Sequence, residues 1–280
     1  MSGSFAGAFR RFAQTVRHAP GLRAAAPLWN ALRTPYRWLL AKAGSDGGVP
    51  VVVGGRTLRL DPEFARISWE SVEPESYARF AAAIGPGAVV FDLGAHVGTY
   101  AMIAAQNAGP AGVVVAFEPH PPTRVFLEKH LAWNGLAHRV RVIGKCVGRE
   151  AGFAEFYSSP EDPDAENSVV PRAGVAPVRV ARTTIDEVAA ELGLRPTFIK
   201  FDIEGGEWDA LHGAIRTLAE ARPTLLVSLH PKPLAALGVD ESAAIAWLEE
   251  RGYDARVVGR DHEVHVWAAP RASVAERGAR

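Results

Sequence analysis

Cysteine is nearly absent from this chain of 280 residues, with Cys146 the single instance. One cysteine excludes an intramolecular disulfide framework and any zinc site built on several thiolates. Net charge is absent as well: 31 Lys and Arg balance 31 Asp and Glu. That balance argues against a chain that holds nucleic acid mainly by bulk charge. Uninterrupted long apolar runs are missing too. Leu93–Phe117 contains no Asp, Glu, Lys or Arg and is long enough to cross a bilayer. But Gly94, Gly98, Gln106, Asn107, Gly109, Pro110 and Gly112 divide it into strand, turn, helix and turn, so it is not a membrane span. Lys is scarce, supplying five of the 31 basic residues, a usage that fits a GC-rich coding bias better than a function. What is present, 48% hydrophobic and 22% charged residues, is the composition of an ordinary globular protein with ample length for a core.

The zero net charge hides an asymmetry. Arg10, Arg11, Arg17, Arg23, Arg33, Arg37 and Lys42 precede the first acid, Asp46, so residues 1–45 carry +7 and the remainder −7. No continuous apolar stretch follows these arginines, which argues against a secretory signal and for the cytoplasm. Leu28–Lys42 places Leu28, Trp29, Leu32, Tyr36, Leu39 and Leu40 at roughly helical spacing, with Pro35 interrupting. Two readings stand for this basic segment: weak contact with an anionic membrane surface, or a helix packed on the main domain. Gly44–Gly48 reads as a linker. The expected organisation is a basic helical appendage and linker over 1–48, one domain over 49–270, and a frayed tail over 271–280.

From Val49 onward short apolar runs alternate with helical patterns. A hairpin is expected over Val51–Leu60, broken at Gly54-Gly55, then a helix over Glu73–Ile84. Strands are expected at Val89–Asp92, Val113–Phe117, Val140–Val147, Thr197–Asp202 and Leu225–His230. Helices are expected between them, at Tyr100–Ala108, Pro122–Asn134, Thr184–Leu192, Glu207–Leu218 and Asp240–Arg251. This alternation implies an α/β fold with a mostly parallel seven-stranded sheet covered by helices on both faces. Tyr253–Val258 and Val264–Trp267 complete it as an antiparallel edge hairpin. Gly152–Tyr157 and Val178–Thr183 read as further strands, joined by a long acidic loop, Ser158–Pro177, of the kind that serves as a lid or is solvated.

The sharpest local signal is VVFDLGAHVGTY at Val89–Tyr100, a buried strand that ends in an acid, turns through two glycines and opens a helix. Glycine lets backbone approach a ligand closely, and the helix start offers free N–H groups. The G-x-x-x-G spacing is neither the dinucleotide fingerprint nor a P-loop. Asp92 suits a cationic amino-acid tail better than a pyrophosphate. The next strand ends in Phe117-Glu118-Pro119, where Glu118 is placed to accept ribose hydroxyls. A nucleoside with a positive amino-acid tail is the chemistry of S-adenosylmethionine (SAM). A third signal, FIKFDIEGGE at Phe198–Glu207, delivers Asp202 and Glu204 to the carboxyl edge of the sheet, where alternate strand residues point one way. Glu207 reads as an acid at a helix start. Ser228-Leu229-His230-Pro231 brings an imidazole to the same edge.

VFDLGAHVGTY, VVAFEPHPPTRVFLEKHLAWNG, the TTIDEV segment at Thr183–Val188 and FIKFDIEGGEWDALHGA together resemble the FkbM-type SAM-dependent methyltransferases over roughly residues 70–235. The resemblance implies a Rossmann-like class I methyltransferase fold. It also implies O-methylation of hydroxyls on sugars, polyketides, other secondary metabolites or glycolipids. Position by position, it implies that Asp92, Gly94, Ala95, His96, Gly98 and Glu118 serve the SAM site, and Asp202 and Glu204 the reaction centre; the neighbouring Thr99 and Pro119 are expected at the SAM site, and His230 is expected at the reaction centre from its strand-end position. Ser228 stands where the family often carries Glu.

His230 reads either as a general base for the acceptor hydroxyl or as a histidine that orients a loop. Asp202, Glu204 and His230 could instead bind a divalent metal, though the expectation is a centre without metal. Cys146 reads as core or adenine-pocket wall, and Thr184 with Glu187 as a capping box. Asp-Ile-Glu-Gly after the fourth core strand is not the Asp/Asn-Pro-Pro-Tyr/Phe run of DNA amino-methyltransferases, and no Cys-Pro nucleophile exists for cytosine chemistry. A small-molecule acceptor is expected, and no nucleic acid. The competing class is a non-catalytic nucleotide-binding module.

Overall fold

The computed structural model describes residues 47–158, 168, 169, 171 and 175–271. The basic segment Leu28–Lys42, most of the acidic loop and the tail from residue 272 lie outside the described residues. A hairpin of β1 (Val49–Val53) and β2 (Arg56–Leu60) turns at Gly54-Gly55 as expected, followed by α1 (Pro62–Ala65) and α2 (Pro74–Ala83). Next come β3 (Val89–Leu93), α3 (Thr99–Ala108), β4 (Val113–Phe117), α4 (Pro121–Trp133), β5 (Val140–Ile143), β6 (Cys146–Val147), β7 (Gly152–Tyr157) and β8 (Pro177–Thr183). The chain continues through α5 (Ile185–Leu192), β9 (Phe198–Phe201), α6 (Glu207–His212), α7 (Ile215–Glu220) and β10 (Thr224–Leu229). It closes with α8 (Pro231–Ala236), α9 (Glu241–Glu250), β11 (Tyr253–Arg260) and β12 (Val264–Pro270).

Seven strands form the main sheet in the order β5-β4-β3-β9-β10-β12-β11, and β12 alone runs antiparallel to its neighbours. Strands are added outward on one side from β3 to β5, then on the other side from β9. The carboxyl ends of β3 and β9 therefore flank the point where the order reverses, the place at which open α/β sheets hold ligands. Side chains alternate between two cores. Val90, Val114, Val140, Phe198 and Leu226 pack with the β1–β2 hairpin, α2, α3 and α4. Phe91, Leu93, Val115, Phe117, Ile199, Phe201 and Val227 pack with α5, α6, α7 and α9. Each fully buried Phe of this kind contributes on the order of 1.5–3 kcal/mol.

The charge-free stretch from Leu93 to Phe117 is explained by burial. It supplies the end of β3, the helix α3 and all of β4, and eight of the ten α3 residues are buried between the sheet and the hairpin side. A helix shut in all round reads as apolar all round.

Two expected elements divide. The single strand over Val140–Val147 becomes β5 in the main sheet and β6 in a small sheet ordered β6-β8-β7, because the chain leaves the main sheet at Gly144-Lys145. The single helix over Glu207–Leu218 breaks at Gly213, where a Cβ would lie 2.1 Å from the Gly148 carbonyl oxygen. The expected strand pair 152–157 and 178–183 is present as β7 and β8. Thr184 caps α5 by accepting from the Glu187 amide, while the Glu187 carboxylate turns instead to the Thr183 hydroxyl.

Candidate active site

Three loops, after β3, β4 and β9, converge at the switch point. Gly94 permits the closest approach: its φ is +73°, and a Cβ there would lie 1.8 Å from the Asp202 carbonyl oxygen. Gly94 and Ala95 donate their amides to the Phe117 carbonyl at 3.0 and 2.9 Å, tying the β3 loop to β4. Gly98 fits against Leu127 of α4, and the Thr99 hydroxyl is engaged by the Tyr77 hydroxyl at 2.7 Å. Ala95, Gly98 and Thr99 thus build the loop from behind and do not line the cavity it borders.

That cavity has a volume of about 270 Å³, and its walls include Gly94, His96, Glu118 and Pro119 from the loops after β3 and β4 and Asp202 and Glu204 from the loop after β9. Cys146 and Phe156 line it as well, so the buried thiol is a wall residue. Glu118 accepts backbone amides from His96 and His120, each at 2.9 Å. Burial pushes its carboxyl up to about 7 even though these two bonds oppose the rise. A glycine cradle, a buried carboxylate and an apolar wall at one sheet edge suit an adenosyl ligand.

Asp92 does not reach the cavity wall. It faces the α3 side of β3 and is 0% exposed, and its Oδ1 lies 3.8 Å from the Nζ of Lys200, its register partner on β9. Burial raises the Asp92 carboxyl to about 6 against the pull of Lys200. Lys200 also hydrogen-bonds Asp202 at 2.9 Å and lies under the Tyr100 ring at 4.6 Å. Burial works against the Lys200 charge, but Asp202 and Asp92 outweigh it and hold the ammonium above its ordinary range. Asp202, for its part, is pushed up by burial but held below the usual carboxylate range by Lys200 and by His230 and His265.

His230, at the N-cap of α8, sits among carboxylates. Its Nδ1 is 2.9 Å from Glu207 Oε1, and its Nε2 is 3.3 Å from Glu204 and 3.5 Å from Glu263. Burial disfavours the imidazolium, yet Glu204, Glu207 and Glu263 together raise the ring well above its ordinary value. The structure therefore brings Asp202, Glu204 and His230 together, though not by strand alternation. β9 ends at Phe201, and Glu204 occupies a left-handed turn position with φ +53°.

Three further residues of this centre receive no site role from the sequence. Glu207 is 0% exposed and accepts the amides of Ile203 and Gly205 at 3.1 Å each, so it is more than a helix-start acid. Glu263 arrives from the β11–β12 turn because β12 lies beside β10. Glu73, which precedes α2, lines the cavity and accepts from the Tyr100 hydroxyl at 3.1 Å. Its signal was weak, an acid before Pro74.

The profile described as Methyltransferase FkbM domain matches residues 92–255, from the end of β3 into β11. The chain belongs to this family. Membership supports SAM as the cofactor of this chain. Over 221 residues, 65% of its length, it is 29% identical to the AMB antimetabolite synthetase AmbE of Pseudomonas aeruginosa, of which it spans only 10%. Similar solved structures include a methyltransferase FkbM from Methylobacillus flagellatus, with TM-score 0.47, 19% identity, and coverage of 86% of this chain and 60% of that one. A SAM-dependent O-methyltransferase from Thermotoga maritima has TM-score 0.44 and 13% identity, over 72% of this chain and 67% of that one. Among the described residues no helix is long and apolar enough to cross a membrane.

Proposed function

We propose that this FkbM-family methyltransferase is a cytoplasmic enzyme that methylates a hydroxyl oxygen of a small molecule: a sugar, a polyketide, a related secondary metabolite or a glycolipid. The observation that carries this reading is one cavity lined by Glu118 and also by Asp202 and Glu204. SAM, when bound, supplies an electrophilic methyl on a sulfonium. In this reading Glu118 accepts the ribose hydroxyls, and Gly94, His96 and Pro119 form the cradle. Cys146 and Phe156 flank the base. Ala95, Gly98 and Thr99 hold the loop in shape, and Asp92 stabilises the floor through Lys200.

Of Asp202, Glu204 and His230, Glu204 is the best placed to take the hydroxyl proton. It is 35% exposed beside the cavity, whereas Asp202 is tied to Lys200 and His230 is held by three carboxylates. Asp202 and His230 then position the acceptor and the base. Enzymatic rate comes mainly from this positioning, with proton transfer second. Ser168 and Val169 of the acidic loop border the acceptor's approach. The Ser168 hydroxyl donates to the Glu204 carbonyl, Ser168 pairs with Tyr157, and Val169 lines the cavity. The +7 segment of residues 1–45 holds the enzyme near an anionic surface.

The test is methyl transfer from labelled SAM to a panel of hydroxylated small molecules, with product linkage read by mass spectrometry and NMR. An O-methyl product supports the reading. Transfer to nitrogen or carbon alone, or tight SAM binding with no transfer, overturns it, and the latter result identifies a non-catalytic nucleotide-binding module.

A further inference from the structure

The geometry points to a divalent-cation site built from Asp202, His230 and Glu263, with Glu207 as the partner that orients the imidazole. One ligand atom from each of the three lies within 4.8 Å of the others. The three come from separate elements: the loop after β9, the start of α8, and the β11–β12 turn. Only the packing of β12 beside β10 unites them.

Two observations distinguish the cluster from an ordinary group of acids. Glu207 is shut from solvent and fixed by two backbone amides, so its 2.9 Å contact fixes a proton on His230 Nδ1 and leaves Nε2 for a ligand. A carboxylate behind a histidine is how proteins orient a metal-binding imidazole. The second observation is that buried polar atoms at this spot lack partners. His230 Nε2 and Glu263 Oε2 are both enclosed without a hydrogen bond, and Glu263 is only 4% exposed. His262 reaches Glu263 Oε1 at 2.9 Å but is 72% exposed, and Oε2, with His265 Nδ1 at 4.0 Å, has no hydrogen bond.

The spacing suits ligation better than hydrogen bonding. Nε2 lies 3.3 Å from Glu204 and 3.5 Å from Glu263, and neither contact is aligned as a hydrogen bond. Two ligands of one ion with bonds of about 2.0–2.2 Å stand roughly 3–3.5 Å apart. Closing the 4.8 Å outer separation to that range takes a combined side-chain shift of about 1.3–1.8 Å. Four carboxylates (Asp202, Glu204, Glu207 and Glu263) gather around the Lys200 ammonium and the His230 imidazole, with His262 and His265 also within ion-pair reach of Glu263, an excess of carboxylates over fixed cations that a dication offsets. One imidazole with oxygens and no thiolate suits a first-row divalent ion such as Mn²⁺. Glu204 at the rim leaves an open side toward the cavity. That the acceptor hydroxyl takes this side rests on the proposed O-methylation; the metal site itself does not.

The experiment titrates chelator-stripped full-length protein with Mn²⁺ in the absence of SAM, following loss of the free-ion signal by electron paramagnetic resonance. One equivalent should bind. Glu263→Gln and Asp202→Asn should each weaken binding at least tenfold, and Glu207→Gln about 10- to 100-fold. SAM affinity by calorimetry serves as the check on folding. No uptake by wild-type protein up to about 1 mM Mn²⁺ overturns the site, as does equal uptake by folded Glu263→Gln and Asp202→Asn variants. If uptake is absent and methyl transfer to oxygen survives chelation, the metal fails and the O-methylation reading stands. Uptake without any transfer to oxygen has the reverse meaning.

Discussion

Lys200 and Asp92 face each other across β9 and β3, 3.8 Å apart and both closed to solvent, and the same ammonium bonds Asp202 at the cavity edge. One buried cation thus links the middle of the sheet to the reaction centre. Removing one partner of a buried pair costs about 3–5 kcal/mol, because the other charge is left uncompensated. Lys200→Met should therefore lower stability by about that amount in urea unfolding, and adding Asp92→Asn should restore part of it. A loss below about 1 kcal/mol would mean that Asp92 is already protonated in the folded protein.

Glu118 gives the cofactor end a pH dependence with a definite sign. Its carboxyl is raised to about 7, so it is largely neutral below that pH. Ribose hydroxyls donate to the charged form, so SAM binding releases a proton. Affinity should tighten about tenfold per pH unit below pH 7 and level off near pH 8. Glu118→Ala should bind SAM about 10- to 150-fold more weakly at pH 8, a loss of about 1.5–3 kcal/mol, with little pH dependence left. Calorimetry in two buffers of different ionisation enthalpy measures the released proton directly. Unchanged affinity in the folded variant would remove Glu118 from the cofactor site.

The stability of the hairpin side should depend on pH through His130. Its Nε2 accepts the Asp61 amide at 2.8 Å, and its Nδ1 lies 2.9 Å from the Val97 carbonyl, an arrangement that requires the neutral ring. Burial lowers its pKa to about 4, against about 6.5 in the unfolded chain. Between those values the unfolded chain binds more protons, so stability is present above pH 6.5 and falls as pH drops toward 4. The full loss is about 3 kcal/mol. Urea midpoints measured across this window should show the loss in wild type and lack it in His130→Gln. Parallel pH profiles would assign the acid sensitivity elsewhere.

The sheet was legible because each core strand is a short apolar run closed by glycine, proline or an acid, and because helical spacing separates the runs. Glu118 and Gly94 were legible for the same reason: strand-end positions place them at the switch point whatever the details of packing. Asp92 shows the limit of that logic, since one residue earlier on the strand turns the carboxylate into the sheet interior toward Lys200. Glu207 looked like a residue for the helix dipole because nothing local distinguishes a solvated acid from one folded back onto two amides. Glu263 carries no signal of its own in Gly-Arg-Asp-His-Glu. It reaches His230 only through the order of the strands, a long-range property that local spacing does not encode.

The reaction centre separates base from support most clearly at Glu204. Of Asp202, Glu204 and Glu207, it is the acid not locked to Lys200 or held by backbone amides, it lines the cavity, and its carboxylate is 3.3 Å from His230 Nε2. Glu204→Gln keeps the shape and removes the proton acceptor, so kcat should fall about 10²–10⁴-fold while SAM affinity is unchanged. Asp202→Asn should instead disturb Lys200 and act on stability as well as rate. His230→Ala frees three carboxylates from their shared partner, so its loss of activity should come with a raised acceptor KM and a lower melting temperature. Single-turnover kinetics on Glu204→Gln, with SAM saturating, isolates the transfer step. Full single-turnover rate in that variant would take the base role from Glu204.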